Sequence, residues 1–177
     1  PAGTVVPPTI YQKLHVFVPA DISLEDYKAH DGPIFFPNGM GGYMPALPLE
    51  PTRAEVATAL AKGYVVVTPG VRGRTNFDLD SGLFNGKAPS VIVDLKAAVR
   101  YLRFNDKVMP GDAEKIVVSG TSGGGAISTL LGATGNSKDY EPYLKEIGAA
   151  RARDDIFATN AYCPITNLDN SDTAYEW

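Results

Sequence analysis

The chain has 177 residues, of which 44% are hydrophobic and 20% are charged, as expected of one globular domain or of part of one. Its net charge of -4 and its pI of about 5.1 argue against a nucleic-acid or anionic-membrane partner, and no apolar run has the length of a membrane span. The single cysteine, Cys163, has no partner for an internal disulfide and no clustered metal ligands, so we expect no metal and no other cofactor.

Strands and helices alternate along the chain. Apolar or alternating runs predict strands at residues 11–18, 34–36, 64–68, 116–118 and 156–162. Helical spacing predicts helices at residues 52–62, 90–104, 126–132 and 143–150, the first of them beginning with a capping box at 52–55. Residues 78–86 are rich in Gly, Asn and Asp and are predicted to form a loop.

This order predicts an α/β fold, in which a mostly parallel sheet is covered by helices on both faces. The continuous apolar run at residues 64–68 is typical of a central parallel strand. In open sheets of this class the ligand binds beyond the carboxyl ends of the strands. Tyr43, Arg72, Ser122 and the pair Pro164–Ile165 all map to that edge.

The segment Lys115 to Thr134 carries the strongest functional signal. A short apolar strand leads into Gly120-Thr121-Ser122-Gly123-Gly124, and helical spacing resumes directly afterwards. Strand, glycine-rich turn and helix are the context in which G-x-S-x-G lifts a nucleophilic serine above the sheet. The amide of Gly123 would then point at an oxyanion. A serine helix cap or a phosphate-binding turn would explain the same residues less completely.

Two glycine-containing loops at the same predicted edge have a functional and a structural interpretation. Residues 38–43 contain paired glycines, Gly41 and Gly42, which would let the backbone approach a substrate carbonyl and supply a second oxyanion amide. They would otherwise form only a flexible turn. Arg72 and Arg74 follow the strand at 64–68 and would either hold a carboxylate near the site or, more often for such arginines, brace their loop.

Acyl transfer by a serine needs a base and a carboxylate, and both are missing after Ser122. The two histidines precede it, with His15 in a predicted strand and His30 in a loop, and Asp169 and Asp172 come one strand too early for the usual acid. We therefore expect residues 1–177 to be the N-terminal portion of one hydrolase domain. The C-terminal portion of the same protein, in the same or in a separate chain, would supply the acid and base, and this chain alone would be inactive.

Four segments together resemble the bacterial tannases and the tannase-like esterases of the α/β-hydrolase superfamily. They are PNGMGGYMP, GYVVVTPGVRGRT, PGDAEKIVVSGTSGGGA and DDIFATNAYCPITNLDNSDTAYEW. The resemblance implies a serine esterase with an inserted lid that cleaves galloyl or related phenolic esters. It implies Ser122 as nucleophile, Gly123, Gly42 and nearby Gly41 as the oxyanion site, and Ile165 as a contact of the aromatic acid. Alanine is common in tannases at the position of Gly123.

Other functions are compatible with the same residues. Relatives of this pattern include feruloyl and other aromatic-ester hydrolases, and a serine peptidase would use the same machinery. A hydrolase fold that only binds ligand belongs to a different class, and Ser122 is all that the sequence shows of a triad. Cys163 is expected to be a packed strand-end residue rather than a nucleophile. Because the first residue is Pro1, we expect that an earlier segment was removed, and the sequence leaves the compartment open.

Overall fold

The computed structural model describes residues 10–20 and 31–167. The expectations about His30, Asp169 and Asp172 concern residues outside these ranges. The strands are β1 (Leu14–Phe17), β2 (Pro33–Pro37), β3 (Val65–Pro69), β4 (Phe77–Asp78), β5 (Leu83–Phe84), β6 (Asp112–Thr121) and β7 (Ala158–Tyr162). The helices are α1 (Ala54–Ala61), α2 (Ser90–Phe104), α3 (Gly123–Ala133) and α4 (Glu141–Glu146), with a 3-10 turn at Lys138–Tyr140.

Five strands form one mostly parallel sheet in the order β1-β3-β2-β6-β7. β2 pairs in parallel with both β3 and β6, and β7 pairs in parallel with β6. β1 pairs antiparallel with β3 at the sheet edge. All five residues of β3 are buried, which agrees with its continuous apolar sequence and confirms it as an inner strand.

The directions of the crossover connections locate the switch point of the sheet. The connection through α1 leads from β2 to β3 in one direction, whereas those through α2 and α3 lead toward β6 and β7 in the other. Since such crossovers are right-handed, α1 lies on one face of the sheet and α2 and α3 lie on the other. The chain therefore reverses direction between β2 and β6, which is the switch point where open α/β sheets bind ligands.

The main core lies between the sheet and the face that carries α2 and α3. Its fully buried members include Phe36 from β2, Leu95 from α2 and Leu131 from α3. Burial of such side chains contributes about 1.5–3 kcal/mol each. Val56 of α1 is also fully buried but lies outside this cluster, as expected for a helix on the opposite face.

A buried ionic cluster fixes the segment that enters β7. The side chain of Asp154 is fully buried and accepts hydrogen bonds from Lys96 Nζ at 2.8 Å, Arg100 Nε at 2.8 Å and the Asn136 amide at 2.8 Å. Burial opposes ionisation of Asp154, but the hydrogen bonds from Lys96, the Asn136 amide and Arg100 outweigh it and lower the pKa of the carboxyl. The cluster joins α2 to the segments on either side of α4.

Three local predictions were wrong. No side chain caps α1: its N-cap is Arg53, so the capping box does not form. Residues 78–86 were predicted as a loop, but β4 and β5 form a short hairpin in which the rings of Phe77 and Phe84 pack edge to face at 5.2 Å. The short helix predicted at residues 143–150 ends earlier, because Gly148 has a φ of 70° that a helix does not accommodate.

Candidate functional site

Ser122 occupies a strained position between β6 and α3. Its φ of 58° and ψ of -120° are rare for a residue with a side chain, and its neighbours hold it there. The Ser122 amide donates to the Tyr162 carbonyl at 2.9 Å, and its carbonyl accepts the first bond of α3 from the Ala126 amide at 2.9 Å. The Ser122 side chain is exposed and makes no capping hydrogen bond, so its hydroxyl is available to react with a ligand.

The glycines around Ser122 are required by close backbone contacts. A Cβ on Gly120 would lie 2.4 Å from the Gly124 carbonyl oxygen, and one on Gly124 would lie 2.7 Å from the Met40 carbonyl oxygen. A Cβ on Gly125 would lie 2.5 Å from the Tyr162 carbonyl oxygen. Only glycine therefore lets the turn, the start of α3 and the two adjoining loops approach this closely.

Substitution of Gly120 by alanine should cost much more stability than the same substitution of Gly123. Gly120→Ala places a methyl group against backbone that cannot move aside, and we expect a loss of about 3 kcal/mol, at the upper end of overpacking costs. Gly123→Ala meets its nearest atom, the Gly42 nitrogen, at 3.1 Å and should cost less than about 1 kcal/mol. Thermal unfolding of both variants checks the difference, and equal losses would contradict the contact argument.

The turn at residues 120–124, called the elbow below, is in contact with the loop after β2. The contact is made by backbone amide nitrogens of that loop. A Cβ on Gly123 would lie 3.1 Å from the Gly42 nitrogen and 3.3 Å from the Tyr43 nitrogen. Gly42 and Tyr43 have φ values of 56° and 58°, and the Met44 amide closes the turn onto the Gly41 carbonyl at 3.0 Å. Successive backbone amides in such a turn can make a concave surface for an anion.

The backbone amides of Gly42, Tyr43 and Gly123 are free to bind a ligand, as judged from the part of the chain that the structure describes. No hydrogen bond from the Gly42, Tyr43 or Gly123 amide to another described residue is formed. Sequence reasoning selected Gly42 and Gly41 but missed Tyr43, since a positive φ is unusual for a tyrosine. The Gly41 amide is not among the atoms nearest to Gly123, and the carbonyl of Gly41 instead closes the turn.

A second loop supports this turn. The Arg74 amide donates to the Tyr43 carbonyl at 2.8 Å, and Ala46 and Val71 exchange two backbone hydrogen bonds of 2.9 and 3.0 Å. The Gly73 Cα lies so close to the Met44–Pro45 peptide that a Cβ would be 2.1 Å from the Pro45 nitrogen. The loop after β3 therefore fixes the position of the loop after β2.

Arg72 anchors the supporting loop to α2. Its guanidinium donates to both carboxylate oxygens of Asp94, with Nη2 at 2.8 Å from Oδ1, and its amide donates to Oδ2 at 2.9 Å. The Asp94 side chain is nearly fully buried. Arg72 thus braces its loop, which is the more frequent of the two roles considered in the sequence analysis. Arg74 contacts the Tyr43 carbonyl through its backbone amide rather than through its guanidinium.

Asn38 connects the first loop to the elbow. It directly follows β2 and is 6% exposed. Its side-chain Nδ2 donates to the Ser119 carbonyl at 3.1 Å, the Gly124 carbonyl at 3.3 Å and Ser128 Oγ at 2.9 Å. Asn38 was not selected from the sequence, because its hydrogen-bond partners are 81 to 90 positions away.

His15 lies far from Ser122. It is in the edge strand β1, three strand positions from β6, or roughly 14 Å at about 4.8 Å per strand. Its Nδ1 is 4.0 Å from Glu50 Oε1. His15 therefore cannot take a proton from Ser122 directly, and it is the only histidine within residues 10–20 and 31–167.

The segment after β7 passes the start of α3. A Cβ on Gly125 would lie 3.4 Å from the Pro164 Cα, and Ile165, one residue further, is half-buried. Cys163 is exposed and has a φ of 43°, so the expectation of a packed cysteine was wrong: β7 has already ended at Tyr162.

The Tyr43 hydroxyl lies in the loop after β2. Burial raises the pKa of this hydroxyl, which therefore stays neutral at physiological pH.

Two clefts lie elsewhere on the molecule. A cleft of about 440 Å³ is lined in part by Gln12, Asp94 and Tyr101, and one of about 280 Å³ lies beside Arg72 and Phe84. Neither contains Ser122. Within the described ranges, no helix is long and apolar enough to cross a membrane, and no three His, Cys, Asp or Glu side chains are grouped as a metal site.

Known proteins match the chain in both sequence and structure. Residues 49–174, more than half of the chain, match the protein family described as BD-FAE. Fusobacterium nucleatum tannase is 58% identical, with a TM-score of 0.84, and the match covers 95% of this chain and 37% of the tannase. Tannin acyl hydrolase from Lactobacillus plantarum is 49% identical, with a TM-score of 0.85, and the match covers 94% of this chain and 39% of that enzyme.

Two further proteins are similar to the chain. A tannin acyl hydrolase in complex with ethyl gallate is 49% identical over 94% of this chain and 39% of its own, with a TM-score of 0.84. Esterase LipC of Mycobacterium tuberculosis is 40% identical over 58 residues, which are 33% of this chain and 14% of LipC. The chain thus spans about two fifths of the tannases it matches. It belongs to the BD-FAE family, has the α/β-hydrolase fold, and is similar over nearly its whole length to the bacterial tannases, as its sequence motifs indicate.

Proposed function

We propose that the protein carrying this chain is a serine esterase that hydrolyses esters of phenolic acids, with galloyl esters of the tannin type as substrates. One observation carries the proposal: the exposed Ser122 directly precedes Gly123, and the backbone amide nitrogens of Gly42 and Tyr43 lie against Gly123. A nucleophile next to preorganised donors is what acyl transfer requires, because negative charge develops on the carbonyl oxygen in the transition state.

The reaction has two steps. Ser122 Oγ attacks the ester carbonyl carbon while its proton passes to a base, and the carbonyl oxygen becomes an oxyanion held by the amides. The carbonyl re-forms, the bond to the alcohol oxygen breaks, and the alcohol leaves with the proton. Water then attacks the acyl-Ser122 ester in the same way, which releases the acid and restores the serine. Each missing donor in such a site typically lowers kcat about 10²- to 10³-fold.

The base and its carboxylate are proposed to come from a C-terminal portion of the protein. Ser122 has no histidine within reach among the described residues, and the chain spans about two fifths of the tannases it matches. Such a portion would be the chain's main partner. We propose no cofactor, since acyl transfer needs only protein groups and water. The net charge of -4 leads us to propose no nucleic-acid or membrane partner.

The substrate class is taken from the similar enzymes. The structure in complex with ethyl gallate contains a galloyl ester, and the chain matches it at 49% identity. Ile165 lies past the end of β7, on the same sheet edge as Ser122, and we propose that it contacts the aromatic ring of the acid. Gly41 stays part of the proposed oxyanion loop through the turn that it closes.

Covalent labelling of the full-length protein tests the proposal. A fluorophosphonate should attach to Ser122, as located by peptide mass spectrometry, and labelling should abolish hydrolysis of methyl gallate in parallel. Methyl ferulate assayed beside methyl gallate separates a galloyl from a feruloyl preference. Absence of label on Ser122, with no hydrolysis of either ester, would instead favour a binding protein of the same fold.

A further inference from the structure

We propose that Asn38 is a positioning residue of the oxyanion site, which sets the distance between the loop after β2 and the elbow. This inference rests on the esterase function proposed above. Asn38 itself would not touch the substrate. It would act through the amides of Gly42 and Tyr43 on one side and the amide of Gly123 on the other.

The hydrogen bonds of Asn38 reach both arms of the site. Its backbone amide donates to the Ser119 carbonyl at 2.9 Å, which continues the pairing of β2 with β6 by one residue. Its side chain then bonds the Gly124 carbonyl and Ser128 Oγ, so one amide group joins β6 to the first and second turns of α3. Gly124 directly follows Gly123, which places the anchor one residue from an oxyanion donor.

The chain leaving Asn38 leads to the opposite arm within four residues. A Cβ on Gly124 would lie 2.6 Å from Asn38 Oδ1 and 2.7 Å from the Met40 carbonyl oxygen, so the loop and the helix start are in direct contact here. A shift of Asn38 would therefore move Gly42 and Tyr43 relative to Gly123. Oxyanion donors act at about 2.7–3.1 Å from the oxyanion, and this narrow range makes catalysis sensitive to such a shift.

The donor group of Asn38 is the part that the structure uses. Nδ2 faces three oxygen acceptors, which fixes the orientation of the amide, whereas Oδ1 is buried without a partner among the described residues. A buried side-chain amide with one unpaired end is costly for stability alone. The contribution of the amide therefore lies in its donor contacts to the Ser119 carbonyl, the Gly124 carbonyl and Ser128 Oγ, which hold the loop after β2 against the start of α3.

The test compares Asn38→Ala and Asn38→Leu with the wild type in the full-length protein. Asn38→Leu keeps the approximate size and branching of the side chain and removes the donor without burying a charge. Asn136→Ala is the matched control, because this asparagine lies beyond the far end of α3 and also bonds across the fold, to Asp155 and to the Asp154 amide. The assays are kcat and KM on methyl gallate, inhibition by an aryl trifluoromethyl ketone, inhibition by gallate, and the melting temperature.

We expect both Asn38 variants to lower kcat about 10- to 100-fold with KM changed less than about threefold. The ketone forms an oxyanion on Ser122, so its affinity should fall by the same factor as kcat/KM, whereas inhibition by gallate should be unchanged. Asn136→Ala should lower the melting temperature without lowering kcat. If Asn38→Ala does not fold, the same readouts on Asn38→Leu, which leaves a smaller cavity, decide.

Three results would overturn the inference. The first is kcat within threefold of wild type in a folded Asn38 variant, and the second is a kcat loss without loss of ketone affinity. The third is an equal kcat loss in Asn136→Ala, which would indicate general destabilisation. A wild-type protein that is neither labelled at Ser122 nor active on any ester overturns the proposed function itself, and this separate readout distinguishes the two failures.

Discussion

Replacement of Ser122 by alanine is expected to lower kcat/KM for methyl gallate by at least about 10⁴-fold while leaving the protein folded. Without Oγ no acyl-enzyme forms, and only the amides of Gly123, Gly42 and Tyr43 remain to polarise the carbonyl. The melting temperature should change little, because the exposed side chain makes no capping hydrogen bond and alanine adopts a φ of 58° at the same cost.

Two controls make the Ser122→Ala result specific. Thr121→Ala removes the neighbouring exposed hydroxyl and should keep both fluorophosphonate labelling and most of the hydrolysis. Binding of gallate to Ser122→Ala, measured by calorimetry, should be close to that of the wild type. Residual turnover above one hundredth of wild type in Ser122→Ala, with label on another residue, would assign the nucleophile elsewhere.

Asp154→Asn is expected to have the largest effect on stability, a loss of about 3–5 kcal/mol. The substitution leaves the fully buried ammonium of Lys96 without its anion, and it weakens the contacts of Arg100 and of the Asn136 amide. Since a domain is stable by only about 5–15 kcal/mol, this loss is a large share of the total. Urea unfolding at pH 7 measures it, provided that the m-value is unchanged.

Two further variants test whether the stability loss in Asp154→Asn comes from the buried charges of the cluster. Arg153→Ala removes exposed ion pairs with Glu114 and Asp155 and should hardly change the urea midpoint. Lys96→Met in the Asp154→Asn background should recover part of the loss, because it removes the unpaired buried cation. A loss in Asp154→Asn no greater than in Arg153→Ala would show that the cluster contributes little to the folded state.

The same carboxyl predicts the direction of the pH dependence. The pKa of Asp154 is lowered in the folded protein, so the unfolded chain binds the proton more tightly than the folded one. The stabilisation is therefore complete above the unfolded pKa of about 3.9 and is lost as the pH falls through the folded pKa. The urea concentration at the unfolding midpoint of the wild type should decrease as the pH is lowered below about 4. The midpoint of Asp154→Asn should decrease less steeply over the same pH range.

Much of the fold could be predicted because it depends on local patterns. The boundaries of α2 were predicted to the residue, since its apolar stripe at helical spacing is unambiguous. The strand–turn–helix context of Ser122 was likewise readable from β-branched residues, small residues and helical spacing in sequence. The capping box at α1 failed because its residues lie where the chain enters the helix from an extended Arg53, and no side chain reaches the free amides.

The sequence by itself determined the order of strands and helices, the α/β class and the strained turn that holds Ser122, because each depends on neighbours within about ten residues. Only the tertiary structure decided which amides face Gly123, that Asn38 joins the two arms, and that Asp154 is buried with Lys96 and Arg100. These contacts join residues 54 to 90 positions apart, and their distances follow from sheet order and crossover direction. Local pattern thus supplies the chemical groups of the site, and long-range packing sets the distances at which they can act.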